Sequence, residues 1–214
     1  MTRLVLVRHG ETVWHAENRY AGVSDIELTR LGLAQAGQLA RWAGTAELSE
    51  VWTSTLTRAQ LTARACAEAI GTDLRVDARL RELDFGRGEG LTTAEMNERF
   101  PEALEAFRAD PVSDHLPGGE DPTHAAERFV ACLDDITRLH PDGRVLVVAH
   151  TTAIRLALCK LIGVPMSEYR RLFPMLRNCA LTEIRLHNGQ CSVLEFNTPV
   201  EHLAVLHTQP GGPL

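Results

Sequence analysis

The sequence predicts an α/β fold: a mostly parallel central sheet with helices on both faces, and a short helical excursion laid over it. Three observations lead there. The chain opens on a continuous apolar run, "RLVLVRH", of the kind a strand buried on both faces shows. Strand-like and helix-like segments then alternate, the pattern of parallel sheets with helical crossovers. A second continuous run, "RVLVVAH", passes directly into the apolar helical pattern "TTAIRLALCKLIG".

In order, "RLVLVRH" is the first strand. "LTRLGLAQAGQLARWAG" has helical spacing, with Thr29 as N-cap and Gly44 as stop. "SEVWTS" is a short strand, and "LTRAQLTARACAEAIG" a helix closed by Gly71. From Phe85 to Pro122 the pattern weakens. "TTAEMNERF" carries a capping box, Thr92 with Glu95; "PEALEAFRAD" is a second short helix; "PVSDHLPGGEDP" is a loop. Residues 85–122 are therefore expected to cover the sheet rather than form a domain of their own. "ALTEIRLHNGQCSVLEFN" closes the pattern as a β-hairpin turning near Asn188 and Gly189. One domain is expected over 1–206, with a flexible tail over 207–214.

Composition narrows the partners. The chain has 214 residues and a formal net charge of −6, which disfavours nucleic acid but leaves room for a local basic pocket. Its five cysteines, with no CxxC pair, point to reduced thiols and a cytoplasmic protein. No segment is long and apolar enough for a membrane span. The nine histidines form no HxH, HExxH or Cys/His cluster, so no metal is expected. A homodimer is left open.

The chemistry gathers at strand ends, where open α/β sheets bind ligands. His9 follows the first strand, beside Arg8 and before Gly10, a glycine that lets another group approach closely. Arg58 lies in the first turn of the helix after "VWTS". His150 ends "RVLVVAH" at a helix N-terminus, where backbone N–H groups favour an anion. "ARLRELDFG" adds Glu82 and Asp84 before a glycine-rich bend. Taken singly, each has a plain structural explanation: a satisfied strand-end histidine, a surface arginine, a solvated carboxylate. Together they suit phosphoryl transfer, with imidazole as nucleophile, arginines on phosphate oxygens and a carboxyl as proton donor. "GRGEG" lacks the spacing of a nucleotide-binding loop.

These segments resemble the histidine phosphatase superfamily, also called phosphoglycerate mutase-like. "LVRHGET" is similar to its signature, "TSTLTRAQLTA" to the element carrying its second arginine, and "LRELDFGRGEGLT" to its acid/base segment. "NRYAGVSDIELTRLGLAQA", "LPGGED" and "VVAHTTAIR" match further segments in order. The resemblance implies His9 as the phosphorylated nucleophile, Arg8, Arg58 and His150 as the phosphate clamp, and Glu82 as proton donor and general base. It implies substrate contacts from Thr12, His15, Gly22 and Thr151, and neither metal nor cofactor.

Several positions depart from the family pattern. His15 replaces an asparagine, Thr151 a glycine, and Asp121 a serine. Gly88 replaces a tryptophan, which is expected to loosen the bend. Phe85 and Thr93 stand where mutases carry a tyrosine and a lysine, and only Arg108 lies near the place of their arginine pair. Hydrolysis of a small phosphorylated metabolite, of sugar phosphate or phosphoglycerate type, is therefore expected ahead of phosphoglycerate mutase activity. A catalytically idle module binding phosphorylated ligands or a protein is the alternative of another class. Arg87, Arg99, Arg108, His115 and Arg177 are the polar candidates for the substrate pocket.

Overall fold

The computed structural model describes residues 1–187 and 189–200. Asn188 of the expected turn and the expected tail 207–214 lie outside the described residues. Six strands form one sheet: β1 (Thr2–Arg8), β2 (Glu50–Thr53), β3 (Leu74–Val76), β4 (Arg144–Ala149), β5 (Leu181–His187) and β6 (Gln190–Thr198). Their order is β3-β2-β4-β1-β5-β6. The first four run parallel, while β5 pairs antiparallel with both β1 and β6. The fold is thus the α/β class expected.

Side-chain alternation explains why both faces are covered. Along β1, Leu4 and Leu6 enter one core while Val5 and Val7 enter the other. β4 repeats this, Val145 and Val147 against Leu146 and Val148. On one face pack α2 (Arg30–Ala43) and α3 (Thr57–Ile70), after the single turn of α1 (Val13–Glu17). On the other lie α4 (Thr93–Arg99), α5 (Pro101–Ala109), α6 (Pro122–Leu139) and α7 (Thr151–Ile162), followed by the short α8 (Tyr169–Leu172).

Most caps follow the sequence. Thr29 accepts from the Gly32 amide, and Thr92 with Glu95 forms the capping box. Gly71 closes α3 in the left-handed region at φ 72°, whereas Gly44 ends α2 while still right-handed, at φ −59°. Asp121 caps α6 through the Thr123 amide, so aspartate keeps the capping role open to the serine it replaces.

The glycine expected to admit a close neighbour does so, and a second glycine expectation is corrected. A Cβ on Gly10 would sit 2.5 Å from the Gly32 carbonyl oxygen, so the group that approaches Gly10 is the first turn of α2. Gly88 is buried, and its Cβ would fall 2.5 Å from Leu116 Cδ1. It therefore tightens the bend against the loop before α6, instead of loosening it.

Four elements had no counterpart in the reading of the sequence: α1, β3, α8 and the 18-residue α6. For α6 the signal was present. Asp121-Pro122 starts it, and Ala125, Ala126, Phe129, Cys132, Leu133 and Ile136 make its buried stripe. The excursion carries α4 and α5, and its Met96, Phe100, Leu104, Phe107 and Leu116 join the larger core.

Candidate active site

β1 and β4 are neighbours in register, with Arg8 paired to Ala149, so the residues that follow them emerge side by side. These are His9 and His150, whose ring centroids lie 5.1 Å apart. The His9 backbone is pinned from several sides. Its N–H donates to the Ala149 carbonyl at 3.1 Å, and its carbonyl accepts from Asn178 Nδ2 at 2.7 Å.

Hydrogen bonding sets the tautomer of each ring. His9 Nδ1 lies 2.7 Å from the Gly10 carbonyl and so carries the proton. Nε2 is left as a lone pair, which accepts from Arg58 Nε at 3.2 Å. Burial, then the charges of Arg58 and Arg8, holds the His9 pKa well below the ordinary histidine value. The result is a neutral imidazole with Nε2 available. Around His150, Leu56 N–H donates to Ser54 Oγ at 3.2 Å, and that hydroxyl lies 2.8 Å from His150 Nε2. The hydroxyl proton then goes to Nε2, leaving Nδ1–H buried and without a partner among the described residues. A buried orphan donor costs about 1–3 kcal/mol, which an incoming acceptor would recover. His150 is also held neutral by burial.

The two arginines are oriented by backbone. Arg58, fully buried, donates from Nη1 to Ser24 O and from Nη2 to Gly22 O, both at 2.6 Å. The Gly22 carbonyl therefore positions Arg58. Arg8 donates from Nη1 to Leu176 O at 2.9 Å and meets His15 Nε2 through Nη2. Burial lowers the Arg8 pKa to about 10. Thr12 is buried, and its N–H donates to His15 Nδ1 at 2.8 Å. Neutral His15 then keeps its proton on Nε2, so two donors converge beside Arg8. Burial, with the charges of Arg8 and Arg58, pushes the His15 pKa down to about 4.

Glu82 is separated cleanly from Asp84. Asp84 Oδ1 is used locally by the Gly86 amide at 2.8 Å. Glu82 faces the cavity and caps α7 from outside it. Oε1 accepts from Leu83 N at 2.9 Å and Ala153 N at 2.8 Å, and Oε2 accepts from Thr152 N at 2.9 Å. A carboxylate at a helix N-terminus is favoured by the helix dipole. Each oxygen has two acceptor sites, so Oε2 retains one for a proton.

These groups share an open cavity of about 520 Å³. Arg8, His9, His15, Glu82 and Thr151 line it, with Trp14, Tyr20, Phe85 and Thr93 forming a wall. Arg58 and His150 stand buried behind His9. The polar side chains reaching the cavity beyond the predicted set are Asn18, Arg19, Thr152 and Arg155. Arg87, Arg99, Arg108, His115 and Arg177 are exposed and do not line it. The signal for Arg155 lay in "HTTAIR", which puts it one turn along α7 from Thr151. A second hollow of about 430 Å³, against Arg177, Asn178 and Val200, reaches Arg8 but holds neither His9 nor Glu82.

Among the described residues no cluster of three His, Cys, Asp or Glu side chains could hold a metal, and no helix is long and apolar enough to cross a membrane. All five cysteines are free, four of them buried.

The chain is similar over most of its length to proteins of known family. It is 36% identical over 184 residues to a probable phosphoglycerate mutase of Enterobacter sp. (strain 638), covering 86% of this chain and 85% of the relative. It is 32% identical over 169 residues to phosphoserine phosphatase 1 of Hydrogenobacter thermophilus, covering 79% and 80%. The solved structure of mycobacterial glucosyl-3-phosphoglycerate phosphatase superposes with a TM-score of 0.84 at 29% identity, covering 92% of this chain and 99% of that one. The sequence model of the histidine phosphatase superfamily (branch 1) matches residues 4–199, and the chain belongs to that superfamily of phosphatases and mutases, enzymes of phosphoryl transfer.

Proposed function

We propose that this protein is a metal-independent phosphomonoesterase that hydrolyses small phosphorylated metabolites through a phosphohistidine. The observation that carries the proposal is the state of His9: neutral, protonated on Nδ1 by its bond to Gly10, with Nε2 facing a buried guanidinium. Nε2 gives up its contact with Arg58 Nε and attacks phosphorus. The ester P–O bond breaks as the P–N bond forms, and Glu82 Oε2 delivers its proton to the leaving oxygen. Arg8, Arg58, His15 Nε2–H and His150 Nδ1–H hold the phosphoryl oxygens, taking the charge-neutralising role that metal ions fill elsewhere. Water then attacks phosphorus, its proton passes to Glu82, and the P–N bond returns its electrons to His9.

Hydrolysis is favoured over mutase chemistry by the rim. Phe85 and Thr93 line the cavity where mutases carry polar anchors, and Arg108 is outside it. The names of the relatives include both activities, phosphoglycerate mutase and phosphoserine phosphatase. We place the reaction in the cytoplasm, on a free metabolite.

The test is brief incubation with labelled substrate in EDTA, followed by mapping of the label. An acid-labile, base-stable label on His9, absent in His9→Ala, is the expected result. A label elsewhere, or turnover by the alanine variant, overturns the mechanism. With 3-phosphoglycerate and a trace of 2,3-bisphosphoglycerate, phosphate release should outrun formation of 2-phosphoglycerate; the reverse would make the protein a mutase.

A further inference from the structure

The cavity holds one cation that the phosphoryl chemistry leaves unused. Arg19 also lines it, but that guanidinium is already matched: it pairs with Glu17 at 2.5 Å and Glu95 at 2.7 Å and donates to the Gly90 carbonyl. Arg155 differs. It makes no ion pair among the described residues. Its guanidinium lies over the Tyr169 ring, 4.7 Å from the centroid, and donates once, weakly, to the Tyr169 carbonyl at 3.4 Å. Its Nε is buried without a partner. A stacked arginine is held in place yet keeps its donor edge free, the state in which it binds planar anions in pairs of hydrogen bonds.

Position along α7 says where such an anion would sit. Arg155 is four residues beyond Thr151 on the same face, about 6 Å along the axis. Helical side chains lean toward the N-terminus, so its head leans toward the end occupied by His150, Thr152 and Glu82. The second charge therefore belongs on the leaving-group side of the phosphoryl site, a few atoms from the ester oxygen.

We propose that Arg155 is a specificity residue that binds a second anionic group on the substrate, so that the preferred substrates are phosphomonoesters carrying a carboxylate or a second phosphate near the ester, and not neutral sugar phosphates. This rests on the phosphomonoesterase reading above. Arg155 takes no part in bond breaking, and its effect should appear in KM.

The experiment measures kcat and KM for wild type, Arg155→Gln and Arg155→Lys on four probes: O-phosphoserine, 2,3-bisphosphoglycerate, glucose 6-phosphate and p-nitrophenyl phosphate. Arg155→Gln should raise KM by roughly 10- to 100-fold on the anion-bearing probe that fits, the loss of a charge-assisted hydrogen bond. Its kcat there, and both constants on the two probes without a second anion, should change little. Lysine should restore part of the loss. Phosphoserine carries a carboxylate and no second phosphate, whereas bisphosphoglycerate carries both, so a loss on both assigns the carboxylate and a loss on bisphosphoglycerate alone assigns the second phosphate. Equal loss on all four probes, or none on any, overturns the proposal. Should wild type turn over none of them, the phosphatase reading fails by itself. Calorimetric binding of the same phosphoserine and bisphosphate to wild type and Arg155→Gln then decides the arginine separately: equal affinities overturn it, and weaker binding by the variant supports it.

Discussion

At the floor of the cavity Arg58 is wholly buried, its guanidinium committed to His9 and to carbonyls of the loop at 21–24. At the rim Arg155 rests on a tyrosine ring and makes no ion pair among the described residues. Both are arginines of one cavity region, but one is fixed by backbone and the other by a single stacked side chain. The floor is over-determined: each group has its orientation set by a strand end, a helix N-terminus or a carbonyl. The rim is assembled from segments distant in sequence, Trp14 and Tyr20 after β1, Phe85 and Thr93 in the excursion, Arg155 on α7. Changes to the floor should therefore cost rate, and changes to the rim should alter substrate preference.

The largest effect should come from Glu82→Gln. Loss of a general acid should slow alkyl phosphates by about 10²–10⁴-fold and activated aryl phosphates far less. The variant also turns an amide donor toward an N–H of α7, so its unfolding midpoint should fall, as for a lost cap worth about 1 kcal/mol. Equal slowing on both ester types would reduce Glu82 to a cap and break the assignment. Next comes Arg58→Lys, which keeps the charge but cannot reach His9 and two carbonyls together. A loss of about 10²–10³-fold in kcat is expected, with KM affected less. Near-normal turnover would show that charge alone suffices at the floor.

At the rim, Phe85→Ala should shift KM by less than about tenfold and leave aryl-ester kcat nearly intact, because it removes apolar contact and no reacting group. Its ring meets Tyr20 edge-on at 5.1 Å, so some loss of stability is expected too. A collapse of kcat would move Phe85 from rim to floor.

A separate effect is on stability against pH. His9, His15 and His150 all have folded pKa values below that of the unfolded chain, His15 at about 4. Below the unfolded value near 6.5 the unfolded state takes up protons that the folded state refuses, so stability drops as pH falls from about 6.5 toward 4. The slope is roughly 1.4 kcal/mol per pH unit for each fully depressed histidine. Denaturant midpoints at pH 7 and pH 5 check this, and a flat profile would show that the three rings take up protons in the folded protein as readily as in the unfolded chain.

The same division governs what the sequence reveals. His9, Arg58 and His150 follow strands or open helices, and local pattern places them. Glu82 could be named, but its choice over Asp84 depends on amides of α7 that lie 70 residues away. Gly22 and Thr12 hold Arg58 and His15 through backbone groups, a role that spacing in the sequence does not show. The arginines at 87, 99 and 108 are the candidates that the sequence offers, and Arg155 is not among them, because only packing decides which face of a helix meets the cavity. α6 has a readable start at Asp121-Pro122 and a buried apolar stripe, but it follows directly on a stretch of weak periodicity that does not set it off.

The pairing of Arg8 with Ala149 has a further consequence. The two histidines that follow are spaced by the sheet itself: their rings stand 5.1 Å apart, close to the 4.7–4.9 Å between neighbouring strands. The ladder of backbone bonds thus acts as a ruler for the reaction, and no side chain on the rim helps to set it. The covering stretch at 85–122 can change in length and composition while the ruler stays calibrated. Lineages can then exchange one phosphate ester for another without reinventing the chemistry, and a new specificity begins from a working catalyst.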